Sequence, residues 1–172
     1  MRPMRRQHFF FLAAGALILV LCLVLFSWDV LVLRISLPHK QGHVVYQKIA
    51  SPGTKLRMRY IHSVERTPVQ GIFALDSQGG FKAERTLTTG TGTGLPNVVD
   101  DQHVSMQGKW MVIDEKNTPV PRIPFYYLPL NNLHISLGDQ EVDLSRVPPG
   151  SRLLITNEQK TLAEALAGKL PF

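Results

Sequence analysis

Cysteine is nearly missing from this chain of 172 residues: Cys22 is the only one. A single cysteine forms no intramolecular disulfide and no cysteine-based metal site, so any folded domain must be held by its own core. Acidic residues are missing from the first 28 positions, where Arg2, Arg5 and Arg6 are the only formal charges. No charge of either sign occurs from Phe9 to Phe26. With those three arginines set aside, sixteen Lys and Arg face thirteen Asp and Glu, an excess of about +3 out of the total +6. So slight an excess is no footprint for nucleic acid, whose binding needs a concentrated basic face.

The charge-free block is what the N-terminus has instead. As a helix it would be roughly 27 Å long at about 1.5 Å per residue, enough to span the hydrocarbon of a bilayer. Arginines precede it, as the positive-inside rule asks, and Trp28 can sit at the far headgroup level. Small residues are absent where a signal peptidase needs them, since the block ends Leu25-Phe26-Ser27-Trp28-Asp29. Leu21 is likewise bulky where a lipoprotein box at Leu19–Cys22 would need a small residue. The expectation is an uncleaved anchor. Residues 1–28 then form a cytoplasmic arm and transmembrane segment. Residues 29–172 form a periplasmic β domain on a single-pass protein of a bacterial inner membrane.

Helical periodicity is scarce beyond the anchor. Short alternating runs predict strands at Val30–Ser36, Val44–Ile49, Leu56–His62, Val69–Leu75, Phe81–Thr88, Trp110–Asp114, Leu133–Leu137, Val142–Leu144 and Arg152–Thr156. Turn signals such as Ser51-Pro52-Gly53, Gly79-Gly80 and Pro148-Pro149-Gly150 separate them. The predicted class is mainly β, an antiparallel sandwich or small barrel, with one short C-terminal helix. That helix is marked by the capping box Thr161-Leu-Ala-Glu164 and the apolar positions Leu162, Ala165 and Leu166. Four prolines between Pro119 and Pro129 restrict that segment to an edge or a packed loop, with Phe125, Tyr126 and Tyr127 capping the core. On the strand from Leu56, alternation puts Lys55, Arg57 and Arg59 on one face as a basic ladder and Leu56, Met58 and Tyr60 on the other.

The densest polar cluster is Tyr60-Ile-His-Ser-Val-Glu-Arg-Thr-Pro-Val69. His62, Ser63 and Glu65 suggest a hydrolytic triad, but neighbours on a strand point to opposite faces, so His62 is poorly placed as a base for Ser63. No Gly-x-Ser-x-Gly elbow is present. Two readings stay open for this stretch: a turn held by the Ser63 and Thr67 hydroxyls, or a turn presenting His62, Ser63, Glu65 and Thr67 to a ligand or partner. The second polar stretch, Thr88-Thr-Gly-Thr-Gly-Thr-Gly-Leu-Pro96, lacks dinucleotide-binding spacing and a following helix. Gly92 and Gly94 would serve either a bulge at a strand corner or a nest of N–H groups for an anion. His39, His43, His62, His103 and His134, with Asp100 and Asp101, show no ligand spacing on a defined element. Neither a cofactor nor a metal is implied, and no residue is assigned a catalytic role.

Taken together, His62-Ser-Val-Glu-Arg-Thr-Pro-Val69 and Gly92-Thr-Gly-Leu-Pro96 resemble a bacterial domain of unknown function. That domain is commonly encoded beside, or joined to, the membrane subunit of TAXI-type TRAP transporters, which import carboxylates with a periplasmic binding protein. The resemblance extends from about Val30 to Thr156. Thr93 stands where the family pattern has alanine, and Gln70-Gly71 where relatives often carry an acid. The resemblance implies an accessory role in transport and supplies no catalytic assignment. The expected protein is non-enzymatic, with the His62–Thr67 turn and the Gly90–Pro96 loop meeting in one site of His62, Ser63, Glu65, Thr67, Gly92 and Gly94. Its expected partner is a TRAP permease, its binding protein or a small anion. An envelope hydrolase using His62 and Ser63, or a stand-alone envelope protein, are the alternatives.

Overall fold

Alternation of apolar and polar residues resolves into two antiparallel sheets. The computed structural model describes residues 4–40, 42–90 and 103–167. Helix α1 (Met4–Ser27) precedes strands β1 (Asp29–Leu37), β2 (His43–Ala50), β3 (Lys55–Ile61), β4 (Pro68–Leu75), β5 (Phe81–Thr88) and β6 (His103–Gln107). There follow β7 (Trp110–Val120), β8 (Ile123–Tyr127), a 3-10 turn at Pro129–Asn131, β9 (His134–Leu137), β10 (Gln140–Glu141), β11 (Ser151–Thr161) and helix α2 (Leu162–Ala167). One sheet has the order β2-β1-β11-β8 and the other β10-β9-β3-β4-β5-β7-β6. Neither closes on itself, so of the two expected architectures the sandwich is the one present.

The chain forms two compact units, one from its two ends, up to Val30 and from Gln159 on, and the other from Leu31–Glu158. In the first, Phe9–Ser27 is long and apolar enough to cross a membrane, with a mean hydropathy of 3.0. None of its residues is buried, and Phe9, Leu12 and Leu17 are all at least 70% exposed. Such a surface suits hydrocarbon rather than water. The capping box is present as read: Thr161 Oγ1 accepts the Glu164 N–H at 3.3 Å, and a Glu164 carboxylate oxygen accepts the Thr161 N–H at 3.0 Å.

The second unit is the sandwich. Leu33, Ile35 and Leu37 of β1 and Leu153 and Ile155 of β11 pack with Leu56, Met58, Ile135, Leu137, Leu75 and Phe81 of the larger sheet. Leu33, Ile35, Leu56, Leu153 and Ile155 are fully buried, each contributing roughly 2 kcal/mol of apolar burial. Val142 and Leu144 are buried too, but lie outside any strand. Their alternation reflects an extended segment laid over the core, joined by the Val142 N–H to the Ile135 carbonyl at 2.8 Å. β8 contains Pro124 and takes an outer position in its sheet, where a missing N–H is tolerated. Phe125 and Tyr127 pack on the core, whereas Tyr126 is exposed.

The β4–β5 connection carries a titratable clamp. Lys82 Nζ lies 3.0 Å from Asp76 Oδ2, and the Gln78 N–H donates to Asp76 Oδ1 at 3.2 Å. These contacts, the lysine first, hold the Asp76 carboxyl below its ordinary value of 3.8. A depressed carboxyl contributes stability that is present above the unfolded-state value and lost as pH falls through the folded one. Between about pH 5 and pH 3, the urea midpoint of the parent is therefore expected to fall more steeply than that of Asp76→Asn. Parallel slopes for the two proteins would show that the clamp contributes nothing.

Candidate functional site

The polar cluster sits at the tip of the β3–β4 hairpin. Ile61 pairs with Pro68, and residues 62–67 form the loop between them. The His62 N–H donates to the Thr67 carbonyl at 2.8 Å, and the Arg66 N–H to the His62 carbonyl at 3.0 Å. Arg66 takes φ of 55°, the left-handed region that lets so short a loop return. The side chain that braces the turn beside these backbone bonds is the imidazole of His62, not the hydroxyl of Ser63 or Thr67. The Glu65 N–H donates to His62 Nδ1 at 3.2 Å. With Nδ1 accepting, the neutral ring carries its proton on Nε2. Ser63 and Val64 project at the tip, and Val64 is 70% exposed.

Thr67 faces the other way. Its Oγ1 is buried and has no partner among the described residues. A Cβ built on Gly90 would come within 2.9 Å of Thr67 Cγ2, so Gly90 lies directly against this side chain. Thr88, fully buried beneath, accepts the Gly90 N–H at 3.3 Å and donates to the Gly90 carbonyl at 3.0 Å. The turn and the start of the glycine stretch thus touch at Thr67 and Gly90. Gly92 and Gly94 lie outside the described residues, as do Asp100 and Asp101. Among the described residues, no three His, Cys, Asp or Glu side chains come together as a metal site.

Beside the hairpin, the outward face of the larger sheet is less uniform than a solvated basic ladder. Lys55 pairs with Glu84, and Arg57 Nη1 donates to the Gly138 carbonyl at 2.8 Å. Arg59 is exposed and has no partner among the described residues. Cross-strand register places it between His134 of β9 and Gln70 of β4. Arg59, Gln70, Ile61, Pro68, His134 and Trp110 line a hollow of about 340 Å³. A second, of about 260 Å³, shares Arg59 and His134 and adds Arg57, Ser136 and Glu141. His134 Nδ1 lies 2.7 Å from Glu141 Oε1, and a carboxylate only accepts, so Nδ1 carries the proton there. Below this surface Tyr60 packs edge-on against Phe125, centroids 5.0 Å apart, and burial pushes its phenol up. Alternation on β3 shows that Arg59 faces outward; nothing local connects it with Trp110, which lies on a strand two places from β4.

A family model described as a domain of unknown function (DUF1850) matches residues 56–144, more than half of the chain. The chain belongs to this family. The DUF1850 segment opens at Leu56 on β3 and closes at Leu144, so it contains the hairpin tip, the glycine stretch and the Arg59 face. No curated protein and no solved structure matches the chain.

Proposed function

We propose that this chain is a membrane-anchored, non-catalytic accessory protein of a TRAP-type (TAXI) solute importer. Its sandwich lies on the periplasmic side of a bacterial inner membrane, and the His62–Thr67 hairpin is a contact surface for the permease or its binding protein. One observation carries this reading: the hairpin engages its imidazole with its own backbone while holding an apolar side chain out at the tip. A base needs a free nitrogen, and His62 Nδ1 is taken by the Glu65 N–H. A fixed turn that holds Ser63 and Val64 out at its tip offers a contact surface rather than a base. The transporter assignment rests on the resemblance of the His62–Val69 and Gly92–Pro96 blocks. The orientation rests on the arginines that precede an apolar helix.

Tagged full-length protein, extracted in mild detergent, is expected to bring down a multi-span permease or a periplasmic binding protein. Val64→Asp is expected to reduce recovery at least tenfold while leaving the urea midpoint unchanged. Absence of both partners from the eluate, or undiminished recovery with Val64→Asp, would overturn the proposal.

A further inference from the structure

We infer that the outward face of β9, β3 and β4 carries a site for a small monocarboxylate with an apolar body, anchored by Arg59 and walled by Trp110. It lies beyond the hairpin surface proposed above: His62, Ser63, Glu65 and Thr67 line neither hollow. Of the three cations on β3, two are engaged within the protein, Lys55 by Glu84 and Arg57 by the Gly138 carbonyl. Arg59 has no partner among the described residues, and with His134 it lines both hollows. A planar guanidinium matches the two oxygens of a carboxylate with parallel hydrogen bonds.

The surroundings select among anions. Asp139 and Glu141 border the smaller hollow, so a multiply charged anion would meet two carboxylates at close range. A single negative charge faces less of this repulsion. His134 is held by Glu141 and turns its remaining ring nitrogen away from that bond. On the other side, Ile61, Pro68 and the half-buried Trp110 offer apolar surface, and Lys109 Nζ, 6.0 Å from the indole centroid, adds positive potential. Gln70, directly opposite Arg59, supplies an amide that can donate to a second carboxylate lone pair. A space of about 340 Å³ lies at the small end of the range for ligand sites.

The test uses the full chain in nanodiscs with Trp28→Phe, which leaves Trp110 as the only indole. Three probes are titrated while Trp110 emission is followed: 3-methylbutanoate, its neutral isostere 3-methylbutanamide, and inorganic phosphate. The expected result is a saturable change with 3-methylbutanoate and binding at least tenfold weaker for the amide and for phosphate. Arg59→Gln should weaken 3-methylbutanoate at least tenfold, and Arg59→Lys, which keeps the charge but loses the fork, should fall between. Matching near-ultraviolet circular dichroism shows that both variants retain the fold, as the exposure of Arg59 leads one to expect. The inference is overturned if 3-methylbutanoate gives no saturable change, if Arg59→Gln binds within twofold of the parent, or if phosphate binds as tightly as the carboxylate.

Discussion

Asn157→Asp is expected to destabilise the sandwich by about 4 kcal/mol at pH 7, in the range for an uncompensated buried charge. Asn157 lies on β11 of the four-stranded sheet and is 3% exposed. Its Nδ2 donates to the Gly80 carbonyl at 2.7 Å and to the Asp76 carbonyl at 3.0 Å, and its main-chain carbonyl accepts the Gly80 N–H at 2.7 Å. These bonds join one sheet to the β4–β5 turn of the other. Aspartate has nearly the same shape but no N–H, so a carboxylate would face two carbonyl oxygens. Asn157→Ala should cost less, about 2 kcal/mol, because it loses the two Nδ2 hydrogen bonds without burying a charge. Urea unfolding of the detergent-solubilised chain, followed by near-ultraviolet circular dichroism, gives both values. Lowering the pH toward 4 should recover part of the aspartate penalty, since a protonated carboxyl donates once. Equal midpoints for parent and Asn157→Asp would mean that the clamp is not a tie between the sheets.

Features of this chain were legible in its sequence wherever the interaction that makes them is local or periodic. Leu56, Met58 and Tyr60 alternate with Lys55, Arg57 and Arg59 because a strand has a period of two, and the burial of β3 follows that pattern. The Thr161–Glu164 capping box is equally local. β6 escaped notice because all five of its residues are exposed, so no buried face marks it. Alternation predicts a strand only from Trp110 to Asp114, whereas β7 extends to Val120. Lys116 and Asn117, both at positive φ, form an irregularity that resembles a turn in sequence, yet pairing with β5 resumes at Thr118. The site was legible only as composition. Which hairpin group holds the turn depends on loop geometry, and His62 rather than a hydroxyl does so. The shared hollow of Arg59 and Trp110 depends on register across several strands, which no short window of residues contains.

Gly90→Ala is expected to cost about 2 kcal/mol, within the range for overpacking at a tight contact. The new methyl would lie 2.9 Å from Thr67 Cγ2 and 3.5 Å from its Oγ1. Threonine is stiff at χ1, so it has no cheap way to turn that methyl aside. Below it Thr88 is fully buried and bonded twice to Gly90, which keeps the glycine backbone from retreating. The hairpin must therefore shift, and with it the His62–Glu65 contact. Thr67→Ser removes the obstructing methyl and leaves the hydroxyl. In the Gly90→Ala background it should restore at least 1 kcal/mol, although alone it should be slightly destabilising or neutral. That non-additivity, a gain in one background and none in the other, is the signature of direct contact in a double-mutant cycle. Additive effects would mean that the turn and the glycine stretch are energetically independent. The same four proteins can be assayed for partner recovery. If the two blocks form one surface, recovery should fall with Gly90→Ala and return with the serine, even though neither residue is at the exposed tip.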